Sequence, residues 1–191
     1  MKLLILGPGE SGKTTVAKYI AETYGIQYRD SSEAAAEVIK PVLDLWRGRG
    51  CCAARHHELR RHHRTLWAEC IALYNAHDAT ALARKVLESG DIYVGMRKLR
   101  EYNACMRAGL FNTVFYCDCG GRPTPQDTTL EIPQSEGMYA IDTSSTDTRM
   151  MEVQVDRIMG QLGIQPKPRD TAQWHPQAPR WYRLKSPALD S

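Results

Sequence analysis

The sequence contains no long apolar run. No apolar stretch in its 191 residues approaches the length of ~20 consecutive apolar residues that a membrane-spanning helix needs. The opening segment, residues 1–6, leads directly into a glycine-rich loop. A secretory signal peptide would instead lead into a cleavage site. We therefore expect no membrane segment and a cytoplasmic location, which is the host-cell cytoplasm if the protein is viral.

The cysteines and histidines also lack the spacing of common structural motifs. The six cysteines include no C-x-x-C pair, so we expect reduced, mostly inert thiols and no disulfide framework. The clustered histidines have neither cysteine partners nor the carboxylate spacing of a zinc site, which argues against a metal there. These histidines are His56, His57, His62 and His63.

The composition is that of a globular protein, with 42% hydrophobic and 25% charged residues, and the length fits one domain with or without a small appendage. The net charge of +3 is unevenly distributed. Residues 47–64 carry +5 and residues 166–185 carry +4, which leaves −6 on the rest of the chain. An acidic body with two basic segments predicts a localised anionic partner.

The most specific motif begins at Gly7. An apolar run of strand length ends at Leu6, and the next eight residues read Gly-Pro-Gly-Glu-Ser-Gly-Lys-Thr. This is the pattern G-x-x-x-x-G-K-[ST], a phosphate-binding loop that lies between a strand and a helix. Its glycines let backbone N–H groups surround an anion, and the following helix directs its positive end to the same place. The amphipathic segment 15–24 supplies that helix.

The loop assigns roles to individual residues. We expect Lys13 to contact the β- and γ-phosphates of ATP and the Thr14 hydroxyl to ligate Mg²⁺. Arg122 is a further candidate for the ATP base or phosphates. The predicted cofactor-binding set is Gly7, Gly9, Glu10, Ser11, Gly12, Lys13, Thr14, Thr15 and Arg122.

Strand and helix patterns alternate along the chain and predict an α/β fold. We expect a three-layer sandwich with a central parallel sheet of about five strands, helices on both faces and an irregular C-terminal tail. The predicted strands are 2–6, 26–29, 91–94, 113–117 and 138–141. One helix is predicted to begin with Ser31 or Ser32 as its cap and to kink or restart at Pro41. Further helices are predicted over 53–74, 79–88, 98–108 and 147–162, the last with a cap near Thr146.

Three charged residues follow predicted strands, at the edge where ligands of open α/β sheets bind. Asp30 is a candidate general base for an acceptor hydroxyl, with a helix cap as its alternative role. Arg97 could stabilise the transferred phosphoryl group, or pair with Glu101 one turn later. Asp118 could hold Mg²⁺ through water, or form a turn.

Other phosphate-binding-loop proteins fit less well. A guanine-specific switch should carry N-K-x-D at a strand end, and the sequence has none. A motor would normally add domains for which 191 residues leave no room. A non-catalytic nucleotide-binding module stays open as an alternative to a small kinase.

At these motifs the sequence resembles the phage-type P-loop kinases of the thymidylate kinase superfamily. The likeness lies in residues 7–15, 30–32, 63–67 and 91–101 and spans about residues 1–160. It implies a kinase domain over 1–162, with a helical acceptor-side insertion at 45–90 and a tail of proline, aromatic and basic residues at 163–191. It also implies Lys13, Asp30 and Arg97 as catalytic residues, with ATP and Mg²⁺ as cofactors and Thr14 as a metal ligand; Asp118 is the second metal candidate.

The acceptor is the open question. Many similar proteins act on deoxynucleoside monophosphates, and a branch phosphorylates 5-hydroxymethyluracil in DNA. Arg122 is the only arginine between Arg107 and Arg149, where monophosphate kinases usually carry an arginine-rich lid.

The basic segment within residues 47–64 suits a DNA backbone. We therefore expect modified DNA as the first acceptor and a free deoxynucleoside monophosphate as the second. A homodimer is a further expectation that the sequence leaves open. A solvated helix face is the plainer reading of this segment. Its predicted acceptor-binding residues are Arg55, Arg60, Arg61, His63 and Arg64.

Overall fold

A computed structural model describes residues 1–47, 64–120 and 130–168 of the chain. Its strands are β1 (Leu3–Leu6), β2 (Ile92–Val94), β3 (Thr113–Asp118) and β4 (Tyr139–Asp142). Its helices are α1 (Lys13–Tyr24), α2 (Ser31–Arg47), α3 (Arg64–Tyr74), α4 (Ala81–Leu87), α5 (Leu99–Arg107) and α6 (Thr148–Gln161). No helix of these three ranges is long and apolar enough to cross a membrane.

The four strands form one parallel sheet in the order β2-β1-β3-β4. Ile5 pairs with Val94 on one side and with Phe115 on the other, so β1 lies inside the sheet. The chain leaves β1, returns on one side as β2 and then crosses to the other side as β3. Such a reversal of strand order creates a crevice at the carboxyl ends of the strands, and the loop after β1 lies there.

The sheet separates two apolar layers, which confirms the predicted α/β sandwich. Alternate side chains of β1 point to opposite faces, so Leu3 and Ile5 pack against α1 and α6, whereas Leu4 and Leu6 pack against the other helices. All four side chains are fully buried. The first two turns of α2, together with α3, α4 and α5, contribute to the second layer, so residues 64–87 of the predicted insertion share the core of the sheet.

In the part of the chain that the structure describes, the sheet has four strands, against the expected number of about five. The predicted strand 26–29 is reduced to a single parallel bridge between Tyr28 and Ile92, beyond the β2 edge. The Gln27 carbonyl accepts a hydrogen bond from the Asp91 amide at 2.6 Å, and the chain then turns into α2. Two backbone contacts are too few to make a strand, although they hold the segment against the sheet.

The structure decides three helix details that the sequence left open. Asp30, and neither Ser31 nor Ser32, caps α2: its Oδ1 accepts a hydrogen bond from the Ser32 amide at 2.8 Å. The predicted cap near Thr146 is the adjacent Asp147, whose Oδ1 accepts a hydrogen bond from the Arg149 amide at 3.0 Å. The helix α2 continues through Pro41 without a restart. Aspartate is at least as good a cap as serine or threonine, so composition alone could not separate adjacent candidates.

The start of the C-terminal tail packs on the body. Ile164 contacts the layer between α1 and the sheet, and the Lys167 amide donates to the Thr23 carbonyl at 2.8 Å. The Lys167 side chain lies over Gly25, where an added Cβ would come within 1.9 Å of Lys167 Cε. This segment therefore covers the C-terminal end of α1; residues 169–191 lie outside the described residues.

The described cysteines agree with the expectation of reduced, inert thiols. They are Cys70, Cys105, Cys117 and Cys119, all buried and none in a disulfide. Burial raises the pKa of Cys105 to about 11 and that of Cys117 to about 12, which keeps both thiols protonated at neutral pH. Cys51 and Cys52 lie outside the described residues.

Candidate functional site

The loop between β1 and α1 has the strand–loop–helix context that the phosphate-binding motif requires. Gly7 adopts φ 139°, Gly12 adopts φ 78°, and Glu10 has φ 57°, which is rare for a residue with a side chain. A Cβ on Gly7 would stand 2.5 Å from the Cys117 carbonyl oxygen and 2.7 Å from Ser11 Oγ. The first glycine is therefore required both by its backbone conformation and by its close approach to β3.

Lys13 folds back over the loop. Its ammonium group donates to the Pro8 carbonyl and lies 3.3 Å from Ser11 Oγ. Gly12 precedes α1 without a side-chain cap, and the first turn of the helix carries no acidic residue. The positive end of α1 and the Lys13 ammonium thus belong to the same loop, which favours binding of a polyphosphate.

Thr143, which follows β4, ties the loop to the edge of the sheet. Its side chain is buried, and Oγ1 lies 2.8 Å from the Ser11 carbonyl and 2.9 Å from the Asp118 carbonyl. Its amide donates to the same Asp118 carbonyl at 2.7 Å. Sequence reasoning missed Thr143, because the rule that selected Asp118, a polar residue directly after a predicted strand, selects Asp142 after the predicted strand 138–141, one residue too early.

Asp30 lies at the carboxyl edge of the sheet, on the far side of β2 from β1. The Tyr28–Ile92 bridge sets the direction of this segment, and the Ser31 hydroxyl donates to the Val94 carbonyl at the end of β2 at 2.7 Å. The aspartate caps α2, which is the alternative role that the sequence allowed. The cap uses one carboxylate oxygen, so capping does not prevent the other from meeting an acceptor hydroxyl.

Tyr28 lies beside both the loop and Asp30. Burial, and to a lesser extent the Asp30 charge, raise the pKa of this phenol to about 12, whereas the nearby Thr14 hydroxyl lowers it. Thr14 itself is exposed in the first turn of α1. The Tyr28 hydroxyl itself is buried and has no hydrogen-bond partner among the described residues.

Arg97 follows β2 and lies half-buried at the same edge. Its carbonyl accepts a hydrogen bond from the Glu131 amide at 2.8 Å, which holds the segment 130–132 next to it. Glu101, the alternative partner of Arg97, accepts from Asn75 Nδ2 at 2.8 Å, and burial raises the pKa of its carboxyl group. Glu131 forms its ion pair with Lys98 at 2.6 Å.

Asp118 ends β3 and is exposed; its Oδ1 accepts from the Gly120 amide at 2.9 Å, which is the turn that the sequence allowed as an alternative. Its register partner at the end of β4 is Asp142, whose Oδ1 accepts from the Ser144 amide at 2.8 Å. In the described ranges no group of three or more His, Cys, Asp or Glu residues is arranged to hold a metal ion.

The remaining predicted site residues are not placed. Arg122 and the acceptor-binding candidates Arg55, Arg60, Arg61 and His63 lie outside the described residues. For Arg64 the structure gives only its position as the first residue of α3. The structure thus brings together the loop residues 7–15, Asp30, Arg97 and Asp118 at one edge of the sheet, through the strands and turns that carry them.

No family model and no curated protein matches the sequence. Among solved structures, the chain is similar to a sugar kinase from Janibacter sp. HTCC2649, with 18% identity over 85% of this chain and 94% of that chain and a TM-score of 0.42. It is also similar to a gluconokinase from Sinorhizobium meliloti 1021, with 16% identity over 85% of this chain and 95% of that chain and a TM-score of 0.46.

Proposed function

We propose that this protein is an ATP-dependent phosphotransferase that moves the γ-phosphoryl group of ATP to a hydroxyl group. The observation that carries the proposal is the loop between β1 and α1. It combines the pattern G-x-x-x-x-G-K-T with the strand and helix that the pattern needs. Its Lys13 ammonium lies over the loop at the Pro8 carbonyl, and no side chain caps the start of α1.

The residues present fit a magnesium nucleotide. The crowding at Gly7 holds the loop backbone against β3, and the buried Thr143 holds Ser11, so the amides of the loop are fixed in place. In this proposal Lys13 binds the β- and γ-phosphates, and Thr14 with Asp118 holds the metal. Bound Mg²⁺ would neutralise the charge that develops on the phosphate oxygens.

On the acceptor side we assign Asp30 to the proton of the attacking hydroxyl and Arg97 to the charge of the transferred group. The bond from the γ-phosphorus to the bridging oxygen of ADP breaks as the bond to the acceptor oxygen forms. The acceptor proton passes to the Asp30 carboxylate. Arg97 reaches the same edge as the loop because it follows β2, the neighbour of β1, and Asp30 does so because the Tyr28–Ile92 bridge aligns its segment with β2.

Asp30→Asn separates the catalytic role from the capping role. Asparagine caps helices about as well as aspartate, so the free energy of unfolding should change by less than about 0.5 kcal/mol. Loss of the base should lower kcat by about 10²-fold or more. Urea unfolding and steady-state kinetics measure the two effects. Asp147→Asn, at the equivalent cap of α6, should change neither; a fully active Asp30→Asn enzyme would leave Asp30 as a cap only.

For the acceptor we propose the 5-hydroxymethyl group of 5-hydroxymethyluracil in DNA. The support is the resemblance of the sequence to phage-type P-loop kinases and the +5 charge of residues 47–64. A free deoxynucleoside monophosphate is the second candidate. Its phosphate would also suit Arg97, because a guanidinium group can hold a phosphate through two hydrogen bonds.

The acceptor experiment uses γ-labelled ATP and Mg²⁺ with the full-length chain. Parallel reactions contain the four deoxynucleoside monophosphates, plain DNA, and DNA of the same sequence with 5-hydroxymethyluracil. We expect label in the modified DNA and none in plain DNA. Label in a monophosphate alone would replace the DNA acceptor with a nucleotide acceptor, and label in none of them would overturn both acceptors.

A further inference from the structure

A glutamine of α6, Gln154, closes the outer edge of the sheet where β4 ends. In the described part of the chain β4 is an outer strand, so the backbone groups on its free side face no neighbouring strand. At Asp142 the carboxamide of Gln154 takes that place. The Asp142 amide donates to Gln154 Oε1 at 2.8 Å, and Gln154 Nε2 donates to the Asp142 carbonyl at 3.2 Å. One side chain therefore holds both backbone groups of Asp142, as a further strand would.

Thr143, the next residue, extends this support to the loop. Its amide donates to the Asp118 carbonyl at 2.7 Å, so that carbonyl already has a partner. The Thr143 hydroxyl has a single hydrogen and lies 2.8 Å from the Ser11 carbonyl and 2.9 Å from the Asp118 carbonyl. Donation to Ser11 gives each carbonyl one hydrogen bond from Thr143, whereas donation to Asp118 would give that carbonyl two and Ser11 none. The balanced arrangement favours Ser11 as the acceptor.

The Ser11 carbonyl belongs to the peptide that joins Ser11 to Gly12. No peptide bond in the described ranges is cis, so the C=O and N–H groups of this peptide point in opposite directions. Thr143 also lies against Gly12, since a Cβ on that glycine would stand 3.6 Å from Thr143 Cβ. A Ser11 carbonyl that is held toward Thr143 therefore turns the Gly12 amide away from Thr143.

We propose that Thr143 is a positioning residue of the nucleotide site, supported by Gln154 from α6. Its hydroxyl donates to the Ser11 carbonyl and so directs the Gly12 amide at a phosphate of the bound nucleotide. A hydrogen bond from an amide to a charged phosphate is stronger than one to a neutral group, and it depends on the direction of the N–H bond. The inference rests on the proposed function, since it assumes that a polyphosphate binds in the loop. It adds that the end of β4 sets the strength of that binding.

The variants Thr143→Val and Thr143→Ser separate the hydroxyl from the shape of the side chain. Isothermal titration in the presence of Mg²⁺ measures the dissociation constants of ADP and of inorganic tripolyphosphate. In Thr143→Val both constants should rise by the same factor, about tenfold, because the weakened contact is with phosphate alone. Thr143→Ser keeps the hydroxyl and should keep the wild-type constants.

Thr113→Val is the matched control. Thr113 is a buried threonine at the first position of β3, at the opposite end of the sheet from the loop. The variant loses the same hydroxyl and should keep the wild-type constants, whatever its unfolding temperature. Wild-type constants in Thr143→Val would overturn the inference while the proposed function stands. An equal loss in Thr143→Ser, or a loss confined to ADP, would overturn it in the same way.

Gln154→Met tests the support from α6 without altering the loop, and it applies even where Thr143→Val does not fold. Methionine is as long as glutamine but cannot pair with the Asp142 backbone, so both dissociation constants should rise. In a Thr143→Val background the substitution should add nothing. Gln161→Met, the same change at an exposed position of α6, should have no effect.

Two further outcomes have a defined meaning. Wild-type constants in Gln154→Met, or additive effects of Gln154→Met and Thr143→Val, would contradict the inference, since the glutamine would then not act through the threonine. A wild-type protein that binds neither ADP nor tripolyphosphate would overturn the proposed function and this inference together.

Discussion

Lys13→Ala is expected to lower phosphoryl transfer to every acceptor by about 10³-fold or more. The ammonium group lies inside the loop, where it contacts the Pro8 carbonyl and Ser11 Oγ, and in the proposed complex it moves to the phosphates. A cation at the transferred group acts on charge that grows in the transition state, and the loss of one such group costs about 10³–10⁵-fold in related chemistry. The measurement is the single-turnover transfer of label from γ-labelled ATP.

The control for this variant is Lys18→Ala. Lys18 is exposed on α1, one turn further along the same helix, and has no assigned role in the site. It removes the same charge from the same helix, so it should retain wild-type transfer. Transfer by Lys13→Ala at the rate of Lys18→Ala would overturn the assignment of the loop as the ATP site.

Gly7→Ala should both destabilise the protein and abolish nucleotide binding. The added methyl group would lie 2.5 Å from the Cys117 carbonyl oxygen, a backbone atom of the central strand β3 that cannot move aside alone. Its φ of 139° adds conformational strain. Overpacking costs about 1–3 kcal/mol and backbone strain about as much, so we expect unfolding to require about 2–5 kcal/mol less.

Gly109→Ala separates strain from crowding. Gly109 has φ 63°, and an added Cβ there would meet no atom within 4 Å. The free energy of unfolding should fall by about 1–2 kcal/mol from conformation alone, with nucleotide binding intact. Urea unfolding and the ADP-induced shift in unfolding temperature compare the two variants. Equal stability and equal ADP binding in both would show that the contact with β3 does not shape the loop.

The parts of the site that depend only on residues adjacent in the sequence were predictable. The loop from Gly7 to Thr14 is recognisable because its chemistry lies in eight consecutive residues between an apolar strand and an amphipathic helix. The strand β3, which ends at Asp118, and the helix α6 over 148–161 follow from the same local patterns. The placement of Arg55, Arg60, Arg61, His63 and Arg122 stays a prediction.

Contacts between distant segments could not be predicted in this way. Residues 26–29 have the composition of a strand, but α2 begins at Ser31 and leaves room for one bridge to Ile92. Asp30 and Ser31 are equivalent capping candidates by residue type, and the backbone decides that Asp30 accepts from the Ser32 amide. Thr143 acquires its role only when β4 lies beside β3, because its partner Ser11 is 132 residues away.

The sequence by itself determined the phosphate-binding loop, the alternation of strands and helices, and the apolar periodicity that gives the sheet two buried faces. These properties follow from residue type and local spacing. The tertiary structure alone decided the order β2-β1-β3-β4, the crowding that makes Gly7 irreplaceable and the burial of the Tyr28 hydroxyl without a hydrogen-bond partner. The reason is physical: each depends on which distant segments pack side by side, and that is set by the burial of the whole core and not by any one stretch of chain.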